Sequence, residues 1–266
     1  MNVYRRFPAE QRDKMVEFYG KVLGLKSLSP IQLSATQQMI LFGVGTGQIK
    51  LAAGVKEGRQ YRPSGLHEAT GIRAFTLYFP DEAALSLRFQ AAGYAAPAFK
   101  DIGAGRRGAL VTDPGGFTLE LVTVADAPAE TYGKVDVGIS VTDLKKSDGF
   151  YRGFVGLEPL APVKDPLLGV TLHPYRNGTT TIDLWSEGKP LPADTGSAGI
   201  QYVVGNVEAV DALAKQQAIT VEEPLGGVPG FPVKTVWLND PDGATNYFYQ
   251  LMRPPGAAPA ATASRP

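Results

Sequence analysis

Cysteine is absent from this sequence of 266 residues, and histidine occurs only twice, as His67 and His173. The absence of cysteine excludes disulfides, thiolate metal sites and a cysteine nucleophile. An excess of charge of either sign is also absent, because 26 lysines and arginines balance 26 aspartates and glutamates. No long-range electrostatic field therefore favours nucleic acid or an anionic membrane as a partner.

Long apolar runs are missing as well. No segment approaches the roughly 18 apolar residues that a membrane-spanning helix needs, and the opening MNVYRRFPAE lacks the apolar core of a signal peptide. The cytoplasm is therefore the expected location. With 44% hydrophobic and 20% charged residues, the composition is that of a globular protein with enough apolar side chains for two cores.

Two sequence motifs each occur twice. The segment FYGKVLGL begins at Phe18 and is matched by FYRGFVGL from Phe150, while Asp-Pro turns begin at Asp113 and Asp240. A repeat of this length predicts two similar domains. The predicted domains are residues 1–125 and 134–252, with a linker at 126–133 and a disordered, proline- and alanine-rich tail at 253–266.

The turn that begins at Asp113 lies in the segment VTDPGGFTLELV. This segment predicts two strands joined by a tight turn, in which Gly115 and Gly116 supply positive φ angles. Side chains alternate along a strand, so Glu120 is expected on the face opposite an apolar row. That row consists of Phe117, Leu119 and Leu121. In the second copy, Tyr247 takes the position of Glu120.

The apolar periodicity divides each half again into two units, each predicted to fold as one strand, one helix and three strands. Four such βαβββ units, carrying both motifs, resemble the vicinal oxygen chelate superfamily of glyoxalases, bleomycin-resistance proteins and extradiol dioxygenases. The resemblance covers nearly the whole chain and implies an α+β fold, with paired units forming two cup-shaped mixed sheets. It also implies a divalent metal at the floor of a cup.

The family's ligand positions can be transferred to this sequence by counting from the repeated motifs. In the cup expected from the first half they fall on Tyr4, Lys50, Ala74 and Glu120, and in that of the second half on Asp136, Asp183, Gly199 and Tyr247. None of these positions holds a histidine. The ring-cleaving pattern of two histidines and one glutamate is therefore not present.

In the first of these cups, Lys50 and Glu120 are expected to lie close together, because an isolated buried charge costs several kcal/mol unless it is paired. A lysine there is incompatible with a cation bound beside it. The pair is interpreted either as a structural ion pair or as a functional one. In the functional interpretation, Lys50 binds a substrate carboxylate or exchanges a proton with Glu120.

In the second of these cups, Asp136 and Asp183 are candidate oxygen ligands of a metal, and His173 is a candidate nitrogen ligand. This oxygen-rich set suits magnesium, manganese or calcium better than zinc. Without a metal, two close aspartates repel each other, and one of them tends to hold a proton. Such a pair can act as general acid and base, so Asp136, Asp183 and Glu120 are the catalytic candidates.

Aromatic side chains near the second cup suit a flat or cyclic organic molecule. The predicted substrate-binding residues are Tyr247, Tyr249, Trp185, Gln201, His173 and Lys50. We therefore expect a glyoxalase- or bleomycin-resistance-like protein that binds a small polar, cyclic or aromatic molecule in the cup of the second domain.

The expected cofactor is none, or a weakly held divalent metal. The alternative function is a divalent-metal-dependent enzyme, either a glyoxalase-type lyase or isomerase or a ring-cleaving dioxygenase. A small molecule is the expected partner, with neither nucleic acid nor membrane involved. The oligomeric state is left open, with a homodimer among the alternatives.

Overall fold

The computed structural model describes residues 1–33 and 37–252, so the tail predicted from Arg253 lies outside the described residues. The helices are α1 (Arg12–Glu17), α2 (Glu82–Ala91), α3 (Ala129–Tyr132), α4 (Leu144–Asp148) and α5 (Val207–Gln216), with π-helical turns at Phe18–Val22 and Gly149–Phe154 and a 3-10 turn at Ala9–Gln11. In the part of the chain so described, no helix is long and apolar enough to span a membrane.

The strands form two large mixed sheets. The outer sheet, built from both ends of the chain, contains β1 (Asn2–Phe7), β2 (Lys26–Gln32), β3 (Gln38–Val44), β4 (Gly47–Ala53), β14 (Ala198–Val203), β15 (Val221–Gly227), β16 (Val233–Asn239) and β17 (Thr245–Leu251). The inner sheet contains β5 (Gly71–Phe79), β6 (Lys100–Gly103), β7 (Arg106–Thr112), β8 (Thr118–Val124), β9 (Val135–Ser140), β10 (Glu158–Pro159), β12 (Val170–Asn177) and β13 (Thr180–Trp185), and β11 (Val163–Asp165) pairs with β12. The α+β class and the four βαβββ units are confirmed.

Each sheet combines one unit from each half of the chain. In the outer sheet β1 runs antiparallel to β14, with Tyr4 opposite Gly199. In the inner sheet β5 runs antiparallel to β9, with Thr76 opposite Asp136. The expectation that each half forms its own cup is therefore wrong. The strand order of each half agrees with the repeat, but every cup needs strands from both halves.

Two long connections, residues 54–70 and 186–197, carry the chain between the sheets. They run side by side, joined by a bridge between Thr70 and Ala193. Arg73 donates to Asp194 at 2.9 Å, and both side chains are almost fully buried. Removing one partner of a buried ion pair strongly destabilises a protein. This contact therefore stabilises the two connections where they run side by side.

Side chains at the helix N-termini fix where two of the helices begin. The Asp81 side chain accepts a hydrogen bond from the backbone of Ala84 at the start of α2, and Asn206 does the same for Ala209 in α5, both at 2.9 Å. These contacts satisfy amide groups that have no partner inside a helix. The apolar row of β8 is fully buried in the core shared by both sheets, and the predicted alternation is confirmed.

A phenol-to-carboxylate hydrogen bond ties the two repeated motifs together. Tyr19 of the first FY pair donates to Asp113 of the first Asp-Pro turn at 3.1 Å. Tyr151 of the second pair donates to Asp240 of the second turn at 2.9 Å. The motifs therefore recur together because each turn is anchored on a helix from the preceding unit.

The Asp-Pro turns use one glycine each at a positive φ. Gly116 has φ of 85° and Gly243 has φ of 84°. The expectation that Gly115 also adopts a positive φ is wrong. Gly115 instead approaches the Arg5 guanidinium, which would lie 3.1 Å from an added Cβ atom.

The two anchoring aspartates differ in their charged partners. Arg5 donates to Asp113 at 3.1 Å, and both side chains are fully buried. In the part of the chain that the structure covers, no cation forms an ion pair with Asp240, and its burial raises its pKa to about 6. The second turn is therefore the one whose carboxylate depends on the tyrosine and on backbone amides alone.

Replacing Tyr151 by Phe should lower the free energy of unfolding at pH 7.5 by about 1–3 kcal/mol, because a buried carboxylate loses a donor. The folded-state pKa of Asp240, about 6, lies above its ordinary 3.8, so at pH 5 the folded protein holds this carboxyl mostly protonated. The loss should therefore be smaller at pH 5. Urea unfolding at both pH values measures it.

Tyr19→Phe is the matched control for this substitution. Asp113 keeps its ion pair with Arg5 in that variant, so its loss of stability should be the same at pH 5 and pH 7.5. An equal pH dependence for the two variants would contradict the different charge states assigned to the two turns.

Candidate functional site

The outer sheet has a cavity of about 800 Å³ on its concave face, which we call the outer cup. Strand alternation selects its lining: Tyr4 and Arg6 of β1 face the cavity, whereas Val3 and Phe7 lie in the core. The remaining lining comes mainly from β4, from β14–β17 and from the segment after β4. This volume suits a small organic molecule.

One wall of the outer cup is aromatic. The rings of Trp237 and Tyr247 are stacked, with centroids 4.8 Å apart and an interplanar angle of 22°. The Tyr4 ring lies 6.1 Å from Trp237 and 5.9 Å from Tyr247. A Cβ atom at Gly199 would lie 2.1 Å from Tyr4 Cε1, so the absence of a side chain there makes room for the Tyr4 ring.

The floor of the outer cup is polar. Lys50 Nζ lies 3.5 Å from the Tyr247 hydroxyl, and burial lowers the pKa of Lys50 to about 8. Gln201 is buried beside Tyr247 across β14 and β17, and its Oε1 accepts from Asn2 at 2.7 Å. Among the residues that the structure describes, no carboxylate lies within ion-pair distance of Lys50.

The rim of the outer cup has two cationic side chains: Lys56 has carboxylate partners, and Arg6 has none among the described ion pairs. Lys56 forms ion pairs with Glu222, at 3.2 Å, and with Glu223. The Arg6 side chain donates only to the backbone oxygen of Gly54, at 3.5 Å, within the described part of the chain. The cationic side chains of the cavity thus outnumber its carboxylates.

The inner sheet has carboxylates at the corresponding positions, and we call its concave face the inner cup. The strand registers show which positions of the two sheets are equivalent: Asp183 occupies in the inner sheet the position that Lys50 occupies in the outer sheet, and Asp136 occupies that of Asn2. They likewise match Tyr247 with Glu120. Counting from the motifs had matched Asp136 with Tyr4, an error of two residues that the strand register corrects.

Hydrogen bonds hold two of these carboxylates. Thr76 donates to Glu120 at 2.7 Å. Asp136 accepts from the Tyr78 hydroxyl at 2.6 Å, from Lys134 at 2.8 Å and from the Thr181 backbone at 2.7 Å. Asp136 is therefore a buried, fully engaged group and not a solvated one.

Burial raises the pKa values of the other two carboxyl groups of the inner cup. Burial and the neighbouring Asp136 charge raise the pKa of Asp183 to about 8. Burial and the charge of Asp165 raise the pKa of Glu120 to about 7. Near neutral pH Glu120 and Asp183 are therefore protonated to a large extent.

Apolar side chains cover the inner cup. Trp185 is 1% exposed, and a Cβ atom at Gly138 would lie 3.0 Å from its ring. Trp185 packs with Leu168 and Leu172 in a separate apolar cluster. It is therefore a packing residue of the inner sheet, and the expectation that it lines a cavity with Tyr247 is wrong.

Three further expectations about the site are corrected. Lys50 and Glu120 lie in different sheets, so the predicted ion pair does not form. Asp136 and Asp183 likewise lie in the sheet that lacks Tyr247. His173 stands opposite Leu184 in the β12–β13 ladder, whereas Pro174 stands opposite Asp183.

Because neighbouring residues of a strand face opposite sides, His173 and Asp183 point to opposite faces of the inner sheet. His173 therefore cannot complete a metal site with the two aspartates. The physical reason for the other two corrections is the crossing of the chain between sheets, which separates units that are neighbours in sequence.

The family model for the Glyoxalase/Bleomycin resistance protein/Dioxygenase superfamily matches residues 7–121 and 135–248. The chain belongs to this superfamily. Lactoylglutathione lyase of Arabidopsis thaliana is 24% identical over 243 residues, which are 87% of this chain and 84% of that protein.

Solved structures agree on the fold. A V278E mutant of glyoxalase I from Zea mays has a TM-score of 0.74 at 22% identity, covering 94% of this chain and 91% of the other. A putative dioxygenase from Bacillus subtilis has a TM-score of 0.66 at 13% identity, covering 94% and 84%. At these identities the likeness shows the shared architecture alone.

The side chains in the cups of this superfamily member do not fit the divalent metal that the family resemblance implies. The floor of the outer cup offers the Lys50 ammonium, the Tyr247 phenol and the Gln201 amide, and an ammonium repels a cation. In the inner cup, the oxygens of Asp136 are already taken by three donors. Within residues 1–33 and 37–252, no group of three or more His, Cys, Asp or Glu side chains is placed to hold a metal ion.

The predicted substrate-binding set is divided between the sheets. Tyr247, Tyr249, Gln201 and Lys50 line the outer cup, whereas Trp185 and His173 belong to the inner sheet. Sequence reasoning missed Arg6, although it lies two residues after Tyr4 on the same strand face. The functional roles of the predicted residues stay predictions.

Replacing Asp183 by Asn should flatten the pH dependence of stability. The folded-state pKa of Asp183, about 8, lies above its ordinary 3.8, so its contribution is complete below pH 4 and is lost as the pH rises through 8. Between pH 5 and pH 8.5 the free energy of unfolding should therefore fall by about 1–3 kcal/mol more in the wild type than in the variant.

Urea unfolding across this pH range measures the difference. Asp126→Asn, in the exposed linker, is the control and should reproduce the wild-type slope. A wild-type slope in Asp183→Asn as well would show that Asp183 ionises normally in the folded protein.

Proposed function

We propose that this superfamily member binds a small, polar, cyclic or aromatic organic molecule in the outer cup, without a histidine-ligated metal. The main observation that supports this proposal is the cavity of about 800 Å³, one wall of which is formed by the stacked rings of Trp237 and Tyr247. This location revises the sequence-based expectation, which placed the ligand in a cup made by the second half alone.

The chemistry of the lining supports this ligand class. Aromatic rings stack on flat or cyclic groups with offset geometry, and a few polar groups fix the orientation of a ligand in an otherwise apolar pocket. Tyr4, Trp237 and Tyr247 supply the rings, and Lys50 and Gln201 supply the polar groups at the floor. The inner cup, filled by Trp185 and leucines, has no comparable lining among the residues described.

The metal-dependent alternative has less support. Lactoylglutathione lyase is named among the relatives, and that likeness raises the question of a lyase or isomerase activity here. The outer cup, however, presents Lys50 where a cation would have to bind. Metal-free binding is therefore the function that the side chains favour.

A panel of one-ring and two-ring compounds, charged and neutral, tests the proposal. Some of them should bind with Kd below about 1 mM by calorimetry, since a cavity of this kind buries most of such a ligand. The chain has two tryptophans, and nuclear magnetic resonance resolves their indole N–H signals. Ligand should shift the Trp237 signal and leave the Trp185 signal in place.

Two substitutions locate the binding further. Tyr247→Leu should weaken binding about tenfold, because it removes one ring of the wall. Trp185→Phe in the inner cup is the control and should leave the affinity unchanged. If no compound binds, or if ligands shift only the Trp185 signal, the outer cup is not the binding site.

Elemental analysis tests the metal-free part of the proposal. Protein purified without a chelator should carry well under one equivalent of iron, zinc, manganese or magnesium, because Lys50 repels a cation at the cup floor. Added Mn²⁺ should also leave the ligand affinity unchanged. Stoichiometric metal removed only by a chelator would overturn this part of the proposal.

A further inference from the structure

The floor of the outer cup contains a cation that the fold does not neutralise. Lys50 lies in the middle of β4, and within the described residues the sole hydrogen-bond partner of its ammonium is the Tyr247 hydroxyl, at 3.5 Å. A lysine ammonium has three donor hydrogens. A charge removed from water without a counter-ion is unfavourable, and a bound anion would relieve that cost.

Two neutral donors converge on the same place. Gln201 lies beside Tyr247 across the β14–β17 ladder. Its Oε1 is held by Asn2, and no hydrogen bond of the described residues uses its Nε2, so that amide group is left as a donor. The Tyr247 hydroxyl can accept from Lys50 and donate its own hydrogen to a ligand.

The charged and titratable groups around Lys50 also favour an anion. Those that line the same cavity are Tyr4, Arg6, Lys56, Glu223, Tyr247 and Tyr249. The carboxylate of Glu223 is engaged by Lys56, whereas Arg6 has no acidic partner among the described ion pairs. The cavity therefore has two cations, Arg6 and Lys50, without a carboxylate of their own.

The inner cup provides an internal contrast. The register positions of Lys50 and Tyr247 are taken there by Asp183 and Glu120. Carboxyl groups at these positions do not attract an anion, whereas the Lys50 ammonium of the outer cup does. The same scaffold thus separates an anion-binding face from an acidic one.

We propose that the outer cup recognises a cyclic or aromatic carboxylate. Its carboxylate binds among Lys50, Gln201 and Tyr247, and its ring lies against the wall of Tyr4 and Trp237. This inference rests on the proposed function and narrows its ligand class from polar to anionic.

A matched pair of probes, 2-naphthoate and 2-naphthamide, tests the inference, because they share one ring system and differ in charge. At pH 7, calorimetry should show naphthoate binding at least tenfold more tightly than naphthamide. Equal affinities would overturn the anionic class while leaving the proposed function standing. If neither probe binds, and the wider panel also fails, the proposed function itself is wrong.

Lys50→Met should weaken naphthoate binding at least thirtyfold and change naphthamide binding less than threefold. Lys26→Met is the matched control, since the same substitution removes an exposed lysine of the outer sheet that does not line the cavity. It should change both affinities less than threefold. An equal effect of the two variants on naphthoate would overturn the role of Lys50.

The wild-type protein offers a test that does not depend on the folding of a variant. Burial lowers the pKa of Lys50 to about 8, while burial raises the pKa of Tyr4 to about 12 and that of Tyr247 well above its ordinary value. The phenols thus stay neutral below pH 9.5.

Naphthoate affinity should fall about tenfold from pH 7 to pH 9, because the Lys50 ammonium loses its proton over this range, and naphthamide affinity should stay constant. If the affinities of the two probes change in parallel, the role of Lys50 is overturned.

Discussion

Pairing between strands that are far apart in sequence determines which side chains meet in this protein. The ladder of β1 with β14 joins the first unit to the fourth, and that of β5 with β9 joins the second unit to the third. Through the first ladder, Tyr4 and Lys50 come to face Gln201 and Tyr247. The buried pair of Arg73 and Asp194 stabilises the connections that make this crossing possible.

The two cups show how one backbone can carry opposite chemistry. Equivalent strand positions present an amine and a phenol in the outer cup but carboxyl groups in the inner cup. In the outer cup the Lys50 ammonium has one hydrogen-bond partner among the described residues, and the cavity is open. The inner cup is closed by Trp185 and its leucine neighbours. In the inner cup Glu120 and Asp136 are therefore stabilised by nearby hydrogen-bond donors of the protein, and in the outer cup a ligand can complete the contacts.

Much of this architecture could be predicted from local patterns. Alternation placed Glu120 opposite an apolar row, the repeated motifs marked the two halves, and apolar periodicity divided each half into two units, because these signals depend only on neighbouring residues. The pairing of units could not be predicted that way, since it depends on contacts between residues 58 to 199 positions apart; the length of the segment 54–70 was the available hint. Trp185 and Tyr247 were assigned to one cavity because both lie in the second half of the chain, whose two units belong to different sheets; alternation also does not distinguish an open face from a covered one.

Because each half supplies strands to both sheets, the halves relate to each other as two subunits of a symmetric dimer do. Two copies of one half would have the strands needed to repeat these pairings about a twofold axis. Residues 125–134 then act as a tether that keeps the halves at a high effective concentration. In a symmetric dimer every substitution alters both sites at once, whereas in the tethered chain one site can become cationic while its counterpart becomes acidic.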